Sequence, residues 1–60
     1  MVVSVRTKSY QIVALNTNAV DAADRLVDHM KVNGLQFCDY VVIVGGKRLG
    51  NVAGWLKGLE

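Results

Sequence analysis

A single cysteine, Cys38, stands in the 60 residues of the chain, which excludes an intramolecular disulfide. Cys38 and His29 together fall short of the four ligands of a structural zinc site, so neither metal nor cofactor is expected to staple the fold. A domain of this length buries only about 60% of the surface its unfolded chain exposes. Of the devices that stabilise small scaffolds, oligomerisation is the one this composition leaves, and the apolar fraction of 52% leans the same way. No run is long and apolar enough for a membrane span, and Met-Val-Val-Ser-Val-Arg has neither the charged start nor the apolar middle of a signal peptide. The expectation is a cytoplasmic protein with a reduced thiol and no membrane contact. Linkers, low-complexity tracts and internal repeats are also missing.

Charge of one sign is scarce too. The formal net charge of +2 is spread along the chain, whereas a dedicated nucleic-acid binder shows a clustered basic stripe. A nucleic-acid mimic would be acidic, and this chain is not.

What the sequence does have is a strongly apolar centre, Phe37 to Gly46. The β-branched run Val41 to Val44 follows two aromatics and stops at Gly45-Gly46, the pattern of a buried strand running into a tight turn. Alternation sends Phe37, Val41 and Ile43 one way and Cys38, Tyr40, Val42 and Val44 the other, so both faces are apolar and need cover.

Upstream, Val2 to Thr7 alternates loosely, with Val3, Val5 and Thr7 opposing Val2, Ser4 and Arg6, which reads as a half-exposed edge strand. Lys8-Ser9 is a weak turn, and Tyr10 to Leu15 forms a second strand; a hairpin is favoured over one long bent strand. A helix follows over Ala19 to Asn33. Asn18 is its cap, Asp21 falls at the third helical position, and Gly34 is placed to end it in the left-handed conformation with Leu35 folding back onto Met30. Val20, Ala23, Val27 and Met30, flanked by Ala19 and Leu26, make its apolar stripe; Asp21, Asp24, Arg25, Asp28 and Lys31 lie opposite.

Beyond Gly45-Gly46 two readings compete. Leu49, Val52, Leu56 and Leu59 keep helical spacing, but Gly46, Gly50, Gly54 and Gly58 interrupt it, each at about 1 kcal/mol against alanine. That penalty favours a return strand to about Val52, then one helical turn carrying Trp55, Leu56 and Leu59.

The chemistry-bearing residues form no catalytic set. Gly45-Gly46-Lys47-Arg48-Leu49-Gly50-Asn51-Val52 resembles a phosphate loop only in outline, because Asn51 and Val52 stand where Lys and Ser or Thr are needed. Cys38 shares a strand face with Tyr40 and Val42, so it reads as an inert core thiol; His29 sits at the flank of the helix stripe. Asp39 interrupts an apolar face, and it is expected at the open end of the sheet.

The expected fold is therefore α+β: a small ββαββ-type antiparallel sheet with one helix on one face and a short C-terminal helical turn, residues 1–60 forming one domain. The far face of Tyr10–Leu15 and Phe37–Val44 has only Trp55, Leu56 and Leu59 to cover it, which points to a second copy or another protein. The function expected is non-enzymatic: a homodimer docking on a larger protein to regulate or inhibit it, with Tyr10, Tyr40 and Trp55 as anchors. So short a chain without catalytic residues suits the compact genome of a phage or mobile element. The alternative is a nucleic-acid module using Lys47 and Arg48. An enzyme assembled at an oligomer interface from His29, Cys38 or Asp39 ranks third.

Overall fold

Tight turns organise this chain into a sheet with helices along one side. The computed structural model describes residues 2–59, so Met1 and Glu60, the ends of the expected domain, lie outside the described residues. In chain order the elements are β1 (Val3–Thr7), β2 (Ile12–Thr17), α1 (Ala19–Asn33), a 3-10 turn (Phe37–Asp39), β3 (Tyr40–Val44), β4 (Lys47–Arg48) and α2 (Val52–Gly58). The strands form a four-stranded sheet in the order β2-β1-β3-β4, with every neighbouring pair antiparallel. The ββαββ architecture and the short C-terminal helix are as the sequence predicts.

The first hairpin is made by Lys8, Ser9 and Tyr10. Tyr10 donates its N–H to the Thr7 carbonyl at 3.0 Å, and Thr7 donates to the Gln11 carbonyl at 2.9 Å. This is a three-residue hairpin loop closed by a residue in the left-handed region, a position that normally takes glycine. Tyr10 occupies it at φ 68°. Thr7, 4% exposed, holds the turn from inside: its Oγ1 accepts the Gln11 N–H at 3.0 Å and shares a hydrogen bond with Ser9 Oγ at 2.9 Å. In the second hairpin Gly45 and Gly46 both have positive φ, 57° and 83°, as a two-residue turn between twisted strands requires.

The helix α1 begins and ends where the sequence places it. Asn18 Oδ1 accepts the Asp21 N–H at 2.9 Å, a cap worth about 1 kcal/mol. Gly34, at φ 65°, donates to the Met30 carbonyl at 2.8 Å. Its buried stripe is turned from the expected one. Ala22 and Leu26 are fully buried, with Ala19 and Met30 packed beside them, while Val20 and Val27 are 61% and 37% exposed.

Register determines which side chains share a face. Val3, Val5 and Thr7 stand opposite Val44, Val42 and Tyr40, and Val5 stands opposite Ala14 on the other flank. These residues, except Thr7 and the half-buried Val44, form the core with Ala22, Leu26 and Val52; Leu49, Trp55 and Leu56 pack against it. Burying a Val or Leu side chain contributes roughly 1.5–3 kcal/mol.

Several strand expectations are corrected. β1 is an interior strand, hydrogen-bonded on both sides, and its polar Ser4 and Arg6 mark an open face instead of an edge. The second strand starts at Ile12, because Tyr10 belongs to the turn. The central strand starts at Tyr40; Phe37 to Asp39 turn before it, with Asp39 donating its N–H to the Gln36 carbonyl and its carboxylate accepting the Gln36 N–H, both at 2.9 Å. The return strand stops at Arg48, since Asn51 opens α2 by accepting the Gly54 N–H at 2.9 Å. The glycine penalty is offset there. A Cβ at residue 54 would come within 2.8 Å of Asn51 Nδ2, so the cap lies where a side chain would be.

Candidate functional site

The asymmetry of the sheet sets the site. Trp55, Leu56 and Val52 pack into the same core as α1, so both helices cover one face and the expected partial cover of the far face by the C-terminal turn does not exist. On the far face β1 contributes Ser4 and Arg6. Arg6 pairs with Ile12 of β2 and Val41 of β3; Ser4 pairs with Ile43, which pairs in turn with Arg48. Ile12 is 57% exposed, whereas Val41 is 2% exposed although it faces away from the core. Arg6, its direct cross-strand neighbour, is the side chain placed to cover it with its aliphatic stem.

Arg6 is itself held in place. Its Nη1 donates to the Thr7 carbonyl at 3.1 Å, and its guanidinium carbon lies 4.4 Å from the centre of the Tyr10 ring. The ring is 74% exposed. A bulky residue at positive φ costs the fold free energy, and here the same residue presents an aromatic face to solvent on a positively charged support.

The carboxylates are kept off the hairpins, whereas cations occur in both layers, Arg25 and Lys31 being on α1 and Lys57 on α2. Val2–Thr17 and Tyr40–Gly50, which make the two hairpins, contain Arg6, Lys8, Lys47 and Arg48 and no carboxylate. Asp21, Asp24 and Asp28 are all on α1, on the opposite side of the sheet, and Asp39 is in the 3-10 turn.

The remaining candidates are scattered. Tyr40, expected as a docking anchor, is 3% exposed; its hydroxyl is hydrogen-bonded to His29 Nδ1 at 2.6 Å, and the two rings meet edge to face at 5.5 Å. It is a core residue. Burial, and secondarily the Asp39 carboxylate, push its phenol above the ordinary value of 10.0. His29 Nε2 is buried with no partner among the described residues, so this pair is a packed structural contact on the helix side. Trp55 is half-buried against the core, whereas Lys47 and Arg48 are exposed on β4. Cys38 is exposed, contrary to expectation, because it sits in the 3-10 turn and not on a strand. His29, Cys38 and Asp39 are thus held in different settings. Among the described residues no group of three or more His, Cys, Asp or Glu could hold a metal ion, and no helix is long and apolar enough to cross a membrane.

Sequence reasoning missed Arg6. Its position opposite Val3, Val5 and Thr7 in the alternation was a signal, but it was attributed to an edge strand. The chain matches no family model, no curated protein and no solved structure. The open sheet surface is mixed apolar and cationic and carries one prominent aromatic ring, Tyr10.

Proposed function

We propose that this is a non-enzymatic interaction protein, working as a homodimer, that docks on an acidic region of a larger protein through the open sheet face and so regulates or inhibits it. The observation that carries the reading is the uncovered face around Arg6 and Tyr10, built from hairpins whose charged residues, Arg6, Lys8, Lys47 and Arg48, are all cations. An aromatic ring and an arginine, preorganised on each other, are the residue types that dominate binding energy at protein interfaces. Ile12 and Ile43 supply the apolar ground around them.

Nucleic-acid binding is the second reading, because the same face lacks carboxylates. Single-stranded nucleic acid is held by successive bases stacking on aromatics, and Tyr10 is the one aromatic on this face, since Tyr40 is buried in the core and Trp55 packs on the helix side. The apolar ground favours protein.

Capture from lysate with immobilised wild-type protein, repeated with Arg6→Ala, Tyr10→Ala and a control Lys57→Ala in the helical layer, tests this. An acidic protein retained by wild type and by Lys57→Ala but lost with Arg6→Ala and Tyr10→Ala supports docking. Capture indifferent to both face substitutions sinks it. Binding of mixed-sequence RNA or DNA that weakens with a slope of about −0.7 in log affinity per neutralised phosphate, and that Lys47→Ala with Arg48→Ala flattens, moves the assignment to nucleic acid.

A further inference from the structure

One margin of the sheet is left bare. β2 ends the strand order, so the outer row of its backbone N–H and C=O groups has no strand beside it. Natural sheets blunt such edges with charge, proline, shortness or a bulge. Ile12-Val13-Ala14-Leu15-Asn16-Thr17 has neither charge nor proline, and at 6 residues it is the longest strand of the sheet. Its register with β1 shifts twice, between Thr17 and Ala14, where Asn16 stands at φ 49°, and again between Ala14 and Ile12. Neither shift puts a strand beside the outer edge, and Ile12 and Leu15 on it are 57% and 63% exposed.

Above this edge runs α1. Between them lies a shallow recess lined by Ile12, Val13, Arg25, Asp28, His29 and Val32. Val32, at 76%, is the most exposed large apolar side chain among the described residues, and it sits where a neighbouring helix would cover it. Arg25 and Asp28, one cation and one anion three residues apart on the helix, face the same recess. A patch with that composition is complementary to itself: a twofold rotation sets each charge against its opposite.

We propose that two copies of the chain pair their β2 strands antiparallel about a twofold axis, joining the two sheets into one and setting Arg25 of each α1 against Asp28 of the other. This rests on the homodimer reading above and deepens it by naming the surface. An acidic partner has no preference for this patch, whose two charges cancel, whereas a second copy satisfies both the backbone edge and the charge pair. An axis perpendicular to the sheet also keeps the open faces of both copies on one side. The dimer therefore presents two Arg6–Tyr10 sites to one partner, and the second contact is made at the effective concentration of a linked pair.

Sedimentation equilibrium of the full chain tests the interface. Wild type is expected to dimerise at micromolar concentration, and Ile12→Lys to dissociate. Arg25→Asp and Asp28→Arg, each alone, place like charges across the axis; twofold symmetry doubles the effect, so dissociation constants rise by roughly tenfold or more. The double swap Arg25→Asp with Asp28→Arg reverses both members of the pair and restores the wild-type constant, which loss of fold would not do. Circular dichroism is expected to show the folded signature for every variant. A wild-type chain that stays monomeric at several hundred micromolar overturns both this interface and the homodimer reading. A dimer indifferent to the charge swaps overturns the interface alone. Neither result bears on docking through Arg6 and Tyr10.

Discussion

Replacing Tyr10 by alanine and by glycine separates the backbone cost of the first turn from the value of the ring it carries. At φ 68° a residue with a Cβ is strained, by about 1–2 kcal/mol relative to the right-handed conformation. Glycine escapes that strain but gives up roughly 0.5–1 kcal/mol of chain entropy on folding. The net expectation is that Tyr10→Gly is more stable than Tyr10→Ala by about 0.5–1 kcal/mol, where an ordinary strand position would show the reverse sign. Loss of the Arg6 stack, 4.4 Å from the ring centre, costs both variants about 0.5–1 kcal/mol as an exposed cation–π contact. Tyr10→Gly therefore sits near wild type and Tyr10→Ala below it. Thermal melts by circular dichroism resolve this, because about 1 kcal/mol moves the midpoint of a domain this small by roughly 4–8 °C. Urea titration followed by the fluorescence of the single tryptophan, Trp55, gives the same comparison at 25 °C. An alanine variant as stable as the glycine variant, or more so, would refute the assignment of Tyr10 to the left-handed bulge position. If Tyr10→Gly keeps its stability yet loses partner capture, the strain is tolerated for the sake of the exposed ring.

Tyr40→Phe is expected to lower stability by about 1 kcal/mol through loss of the bond to His29, and to change its pH dependence. The folded phenol titrates above 10.0, so the folded state holds its proton longer; wild-type stability is complete below that pH and falls as pH rises from there toward the folded value. Urea melts from neutral pH upward should show that alkaline fall in wild type and a shallower one in the phenylalanine variant; equal slopes would place the hydroxyl in solvent. Cys38, exposed in the 3-10 turn, is expected to react with a thiol reagent in the native state at nearly the rate seen in denaturant, and slow native labelling would return it to the core.

Much of the fold was readable because local signals and tertiary packing agree there. Asn18, Asp21 and Gly34 delimit α1 through their own backbone chemistry, and Gly45-Gly46 makes its turn for the same reason. The stripe of α1 was displaced by about one residue because Val20 and Val27 are the larger apolar side chains, yet the sheet takes the small Ala22 and closes on Leu26. The site was harder to see. The alternation in β1 is legible, but a polar face fits an edge strand as well as an uncovered sheet, and the pairing of β1 with both β2 and β3 decides against the edge. Tyr10 reads as a strand residue because propensity puts aromatics in strands, and nothing in Lys-Ser-Tyr signals a left-handed turn. Tyr40 keeps the face that alternation gives it, with Val42, and that face is the core. Cys38 leaves that face because the strand begins three residues later than its apolar run.

The strand that holds the sheet together precedes everything that completes it. β1 meets β2 across a three-residue turn, but its other flank waits for β3, where Val3 pairs with Val44 and Val2 accepts the N–H of Gly45. Turn closure of the first kind takes microseconds, whereas the second joins segments separated by the whole of α1 and carries the larger entropy of loop closure. On the ribosome, Val3 to Thr7 therefore emerge with one flank unpaired, and stay so until Val44 is out. During that interval the valines of β1 lack the β3 side of their core, and α1, which precedes β3 in the chain, is the element available to cover them.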